Sequence, residues 1–353
     1  MKMVFVKNLK GNEILSKDIY SSNGKILLKS GTKLNLQLIW KIRQYGTFFV
    51  YIEDGSLSDV TDDRKLSNLK QKTLSNLPQL FKYVSGGDQK SIKSSISLTK
   101  NLVDYIIDKK SININLFEIK NYDKYTYIHS IDTCIMSVFL GTLLSYKKDK
   151  LQDLGICAMF HDIGKTMIPV EILNKPGRLT EAEYGLMKKH TLFGRDILKK
   201  SNVFSEDVIK GVEQHHERID GSGYPYGLKG NEICEFAKIV AICDVFTAVS
   251  ANRSYRKRFN PTEAYEYILG GSGTLFDEKI VEDFRNNFYI YPLGCCVKLS
   301  NNIEGYVVKQ NRQFPDRPTI RITYDVNTRK KILPYEINLI NHTNITIISI
   351  VEN

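Results

Sequence analysis

The chain has 353 residues, of which 42% are hydrophobic and 25% charged, a composition that suits two or three folded domains and excludes a low-complexity chain. The formal net charge of +11 favours an anionic partner such as a nucleotide, nucleic acid or acidic membrane surface, although lysines scattered over solvated faces account for the same number. The first eight residues lack the apolar run of a signal peptide, and the longest apolar stretch, Cys134 to Leu144, is too short to span a bilayer, so a soluble, cytoplasmic protein is expected.

In chain order, residues 1 to about 55 read as β-rich with one helix. The short apolar runs Val4–Val6, Ile26–Leu28 and Phe48–Ile52 are separated by Gly24, Gly31 and Gly46, and Leu36 to Tyr45 has helical spacing. Residues 55–63 read as a linker, so residues 1–63 are taken as a small N-terminal module. A helical connector over 64–114 follows. One helix carries Leu66, Leu69, Leu77, Leu80 and Phe81, a second carries Ile92, Ile96, Leu102, Val103 and Ile106, and Ser85 to Asp88 breaks them. These helices are also where a homodimer could pair.

From 115 to 290 the pattern stays helical. Thr180 with Glu183 forms a capping box opening a helix read as carrying His190; Pro261 and Glu263 mark another start; Glu232 to Ala251 is a long apolar helix containing Asp244. After Pro292 the texture turns to β-branched clusters at Val297–Leu299, Gly305–Lys309, Thr319–Tyr324, Ile332–Leu333 and Asn344–Val351, which predicts a small C-terminal β-barrel or sheet over 291–353. The expected fold is thus α+β and multidomain, an all-α catalytic domain flanked by two small β-rich pieces. Six cysteines (134, 157, 234, 243, 295 and 296) show no framework spacing; the vicinal pair would point to opposite faces of a strand.

The chemistry concentrates in the helical part. Of six histidines, His129, His161, His190, His215 and His216 fall within residues 129–216, two of them adjacent and one beside Asp162. With Asp162 and Asp244 they make seven nitrogen and oxygen ligands, enough for two divalent metals sharing a carboxylate. Such a donor set suits iron or manganese, with zinc also compatible, and the absence of cysteine ligands argues against a structural zinc. Paired metals of this kind ionise a bridging water and neutralise phosphate oxygens, which is hydrolase chemistry. Lys165 follows Asp162 by one turn and shares its face.

His161-Asp162-Ile163-Gly164-Lys165, His190, His215-His216-Glu217, Asp220 to Pro225 and the run Asp244 to Arg256 together resemble the HD-GYP domain, a branch of the HD superfamily of metal-dependent phosphohydrolases. The resemblance covers about residues 115–290 and includes the spacings between motifs. It implies a cyclic dinucleotide phosphodiesterase acting on cyclic diguanylate (cyclic di-GMP), by attack of a metal-bridging hydroxide, to give linear pGpG. It implies one metal on His129, His161, Asp162 and Asp244, and another on His190, His215 and His216 with Asp162 bridging. Lys165 is implied to serve catalysis by contacting the scissile phosphate, and Arg253 and Arg256 to bind substrate phosphates. Gly221 and Gly223 would shape the loop, while Tyr224 and Pro225 would offer a contact for protein partners. Glu217 and Asp220 would orient ligands from behind.

Two departures matter. Members that hold a third metal place acidic residues where this chain has Tyr125 and Thr247, so two metals, and pGpG rather than GMP, are expected. The alternatives are another cyclic dinucleotide, such as cyclic GMP-AMP, or a non-catalytic cyclic-di-GMP sensor or scaffold. The basic residues of the C-terminal tail come without a recognised RNA-stacking pattern, so nucleic acid is not expected as a partner.

Overall fold

The computed structural model describes residues 1–21, 26–61, 63–109, 126–250, 261–311 and 313–352. They fall into two units: one holds the described residues of Met1–Asp63 and Arg285–Asn353, the other those of Arg64–Ile112 and Tyr125–Phe284.

In the first unit the two ends of the chain share a core. Strand β1 (Lys2–Phe5) pairs antiparallel with β4 (Phe49–Ile52), with Lys2 opposite Ile52 and Phe5 opposite Phe49. Strand alternation then splits the ribbon between two cores. Met3, Phe49 and Tyr51 pack with Val297, Leu299, Val307, Ile320, Ile322 and Leu339 of the C-terminal sheet. Val4 and Val50 face the other way, onto Leu15, Leu34, and Ile39 and Ile42 of helix α1 (Leu36–Gln44). Two short strands, β2 (Ile19–Tyr20) and β3 (Ile26–Leu28), complete the N-terminal part.

The C-terminal part is an antiparallel sheet ordered β8-β7-β6-β5-β9, from β5 (Cys296–Leu299), β6 (Ile303–Lys309), β7 (Thr319–Asp325), β8 (Lys330–Asn338) and β9 (Ile347–Ile350). Cys295 and Cys296 are both buried and unbridged. Several basic residues here have structural partners. Arg321 forks onto Asp59 and also reaches Glu336, and Arg317 donates to the carbonyls of Leu339 and Ile345.

The second unit is helical. It begins with α2 (Arg64–Gly86), and the apolar stretch read as one following helix is two, α3 (Gln89–Ser95) and α4 (Ser97–Asp108), separated at Ile96. Leu77, Leu80, Ile92, Leu102 and Val103 of these helices are fully buried, while Leu66 and Leu69 are partly buried. Then come α5 (Thr126–Leu143), α6 (Lys148–Phe160), α7 (Val170–Leu173), α8 (Glu181–Lys188), α9 (His190–Ser201), α10 (Glu206–Gln214), α11 (Glu235–Ser250), α12 (Pro261–Gly270) and α13 (Glu278–Asn287). Helices α5 and α11 are apolar on nearly every face, and with the buried second half of α6 (Leu154–Phe160) they form the centre, as expected for helices packed on all sides. The capping box at Thr180 and Glu183 is present, but the helix it opens ends at Lys188, and His190 begins the next one. No helix among the described residues is long and apolar enough to cross a membrane.

Candidate metal centre

Each ligand candidate sits where a buried helix begins, ends or turns inward. His129 lies on α5 and Asp244 on α11. His161 closes α6, and Asp162 follows it as the cap of a 3-10 turn over Ile163–Met167. His190 opens α9, and His215 and His216 follow α10. The 3-10 turn lies hard against α9. A Cβ on Gly164 would stand 1.8 Å from the carbonyl oxygen of His190 and 2.5 Å from the nitrogen of Gly194, so only glycine allows this approach.

Three of the imidazoles are fixed the same way. Nδ1 of His161, His190 and His215 lies 2.7 Å from the carbonyl oxygens of Ala158, Met187 and Val212 respectively, each three residues back. A carbonyl only accepts, so Nδ1 carries a proton and Nε2 is the nitrogen turned inward, as a ligand requires.

The inward atoms converge on Asp162. Its Oδ2 lies 3.4 Å from His161 Nε2 and 3.9 Å from His129 Nε2, and accepts from Lys165 Nζ at 2.5 Å. Its Oδ1 points the other way, 3.4 Å from His190 Nε2 and 4.0 Å from His215 Nε2, and has no hydrogen-bond partner although buried. Asp244 completes the first side, with Oδ1 3.1 Å from His129 Nε2 and 3.6 Å from His161 Nε2, while its Oδ2 lies 3.9 Å from His216 Nδ1. Two groups of ligand atoms therefore meet at one carboxylate: His129, His161 and Asp162, and Asp162, His190, His215 and His216.

Charge follows the same geometry. Burial, the largest influence on Asp162, would raise its carboxyl, yet Lys165, His161 and His190 outweigh it and hold it well below the carboxylate range. Asp244 is likewise held down against burial by His129 and His161. Burial would discharge His161, but Asp162 and Asp244 reverse this and push its imidazole up to about 10. His190 and His215 are pushed down by burial, and His216 to about 3. Two buried carboxylates thus face mostly neutral imidazoles, a centre that calls for added positive charge. The orphaned Asp162 Oδ1 and the inward-turned Nε2 atoms, crowded against one another at 3.1 Å (His129 and His161) and 3.4 Å (His190 and His215), fit a divalent metal, with nitrogen and oxygen donors and no sulfur.

The remaining residues divide sharply. Glu217, buried, accepts from the backbone nitrogens of Tyr226 (2.7 Å) and Leu228 (3.0 Å), so its contacts hold the following loop rather than a metal ligand. Asp220 accepts from the nitrogen of Ser222 and shapes the turn, where Gly221 has φ 84°. A Cβ on Gly223 would strike the backbone of Glu217 and Arg218 at 2.4 Å. The loop brings Tyr224 onto His216, with ring centroids 4.7 Å apart and planes at 30°; Pro225 follows it in the same turn. Thr247 is buried, its hydroxyl engaged by Thr133 and by the carbonyls of Cys243 and Asp244. Arg253, Arg256 and Tyr125 lie outside the described residues.

Sequence reasoning missed Glu213 and Arg195. Arg195 donates to Glu213 at 2.7 Å and to the Tyr226 hydroxyl at 3.0 Å, and that hydroxyl donates to Glu213 at 2.6 Å. A second anchor thus holds the loop, and its only sequence trace is that Glu213 precedes Glu217 by one helical turn.

Buried imidazoles and carboxylates gathered between the helices of one bundle define a helical metal-centre domain of the HD type. Residues 128–280 match the family described as "HD domain", and residues 296–353 the "KOW domain associated with HD domain". Residues 128–280 are thus an HD domain. It is 34% identical over 219 residues to the cyclic di-GMP phosphodiesterase PA4108 of Pseudomonas aeruginosa, covering 62% of this chain and 53% of that protein. It is 29% identical over 247 residues to the 3'3'-cGAMP-specific phosphodiesterase 2 of Vibrio cholerae, covering 68% of this chain and 45% of the relative. The chain thus spans about half the length of these curated relatives. Among solved structures it shares its fold with Bd1817, an HDGYP-type protein from Bdellovibrio bacteriovorus, at a TM-score of 0.55 and 18% identity, over 80% of this chain and 97% of that one.

Proposed function

We propose that this protein is a two-metal phosphodiesterase that hydrolyses cyclic di-GMP to linear pGpG. The observation that carries the reading is the divided carboxylate of Asp162, with one oxygen turned to His129 and His161 and the other to His190 and His215, inside an HD domain. His129, His161, Asp162 and Asp244 would hold one divalent cation; Asp162, His190, His215 and His216 would hold the other, with iron or manganese favoured and zinc compatible. Bound there, the pair supplies a water ionised near neutral pH and charge to offset the phosphate.

The chain's own residues do the rest. The Nδ1-to-carbonyl bonds keep three imidazoles aimed without reorganisation, and Glu217 and the Arg195–Glu213 pair hold the loop that places Tyr224 on His216. Lys165, 2.5 Å from Asp162 Oδ2, is positioned to turn its ammonium onto a phosphoryl oxygen as negative charge develops. Arg253 and Arg256 would clamp the remaining phosphate oxygens. Water adds to phosphorus, the P–O3′ bond breaks, and the 3′ oxygen leaves as the hydroxyl of a linear dinucleotide. The committed hydrogen bonding of Thr247 is the reason to expect no third cation, and therefore pGpG rather than GMP.

Relatives named for cyclic di-GMP reach 39% and 41% identity, against 36% for those named for cGAMP, which favours diguanylate. Six unbridged cysteines favour a reducing compartment, the cytoplasm. The exposed Tyr226 makes the loop the surface we assign to protein partners.

The test is product analysis by chromatography after purification without chelator, with metal content measured and Mn²⁺ or Fe²⁺ added. Linear pGpG from the wild type and none from Asp162→Ala is the expected result. GMP as the main product would overturn the two-metal assignment, and no turnover by fully metallated protein would overturn the substrate.

A further inference from the structure

The metal ligand His216 begins a stack that leads outward to solvent. Tyr224 lies on its ring, 4.7 Å between centroids. The ammonium of Lys188 sits 5.6 Å from the centre of the Tyr224 ring and 4.8 Å from that of Tyr184. Tyr184 and Lys188 are four residues apart on α8, so helical spacing places them on one face. Tyr184 is a large aromatic that is 49% exposed. Its ring has the Lys188 cation on one side.

A diester held at Asp162 has to project its nucleosides out of the centre, since the ligand atoms themselves are buried. The face of α8 that carries Tyr184 and Lys188 lies beside Tyr224, the ring stacked on His216, and it offers what a purine base takes: an aromatic plane, and an ammonium for the acceptor atoms on the base edge. We propose that Tyr184 and Lys188 form a base-binding subsite, with Tyr184 stacking on a purine of the substrate and Lys188 donating to its edge. Lys188 serves both ends of the arrangement, because its contact with Tyr224 ties the subsite to the loop that covers His216. Tyr184 therefore sets which diesters are accepted, and the chemical step belongs to the metal centre.

This inference rests on the nucleotide substrate proposed above, and the experiment separates the two. Wild type, Tyr184→Ala, Tyr184→Phe and Lys188→Gln, each as the full chain with metal content measured, are assayed on cyclic di-GMP and on bis(p-nitrophenyl) phosphate, a diester without a base. The quantity read is the ratio of kcat/KM on the two substrates. The expected result is a fall of about tenfold in that ratio for Tyr184→Ala, carried mainly by KM, as loss of a base–aromatic stack predicts. Tyr184→Phe keeps the plane and restores the ratio, and Lys188→Gln lowers it by a smaller factor. An unchanged ratio in Tyr184→Ala, with both substrates turned over by wild type, overturns the subsite alone. Turnover of the base-free diester but not of cyclic di-GMP by wild type overturns the substrate reading, and the subsite with it.

Discussion

The closest backbone approach at the centre makes Gly164→Ala a demanding test. The new Cβ would lie 1.8 Å from the carbonyl oxygen of His190, where real contacts essentially never fall below 3.0 Å, so the 3-10 turn and α9 must separate by about 1.2 Å. Both contacts are to backbone, so no rotamer change can relieve them. Overpacking of this kind costs about 1–3 kcal/mol, which for a unit of this size lowers Tm by several degrees. The functional effect is larger. Asp162 precedes Gly164 by two residues and His190 opens the helix, so the same displacement opens the 3.4 Å gap between Asp162 Oδ1 and His190 Nε2. A shift of about 1 Å in a catalytic constellation costs roughly 10²-fold in rate. Metal analysis should show the cation on the His190 side depleted first, and the phosphodiesterase rate should fall about a hundredfold. Gly164→Ala with full metal content and wild-type Tm would refute the geometric reasoning.

Two further outcomes follow from the same contacts. Glu217→Ala strands two backbone N–H groups, at a cost of about 1–3 kcal/mol, and frees the loop; limited proteolysis should cut between Gly221 and Gly230 faster than in wild type, and equal rates would show that the loop is held elsewhere. In metal-free protein His161 is raised to about 10, so its stabilisation is fully present below pH 6.5 and is lost as pH rises toward 10. His190, His215 and His216 are lowered, so their contribution is present above 6.5 and lost as pH falls below it. Chelator-treated protein should therefore be most stable near pH 6.5, and added Mn²⁺ should flatten the alkaline decline by replacing the proton on His161. A metal-free melt series rising steadily from pH 5 to 9 would contradict this.

The residues gathered around Asp162 could be read from the sequence because their signal is local and compositional. Five of six histidines fall in one stretch, and the adjacent pairs His161-Asp162 and His215-His216 have few structural explanations besides a metal centre. The capping box at Thr180, the apolar helix around Asp244 and the β-branched texture after Pro292 were legible for the same reason, since each depends on neighbours within a few residues. The break at Ile96 and the helix boundary at Lys189 were not, because backbone angles there stay close to helical while helix packing redirects the chain.

What only tertiary structure decided are relations between segments far apart in the chain. The resemblance to the HD-GYP domain implied Asp162 as a shared ligand, but which oxygen faces which imidazoles depends on α5, α6, α9 and α11 meeting at one point. Glu217 carries no mark that its carboxylate serves a loop, and Arg195 none that it pairs with Glu213, since a surface residue and a buried anchor have the same letters. Likewise the alternation of β1 sends Met3 and Val4 to opposite sides, but only the fold shows that Met3 joins Val297 and Ile320 some three hundred residues away. Local chemistry is written in the order of residues, whereas its partners are chosen by packing, which weighs the whole chain at once.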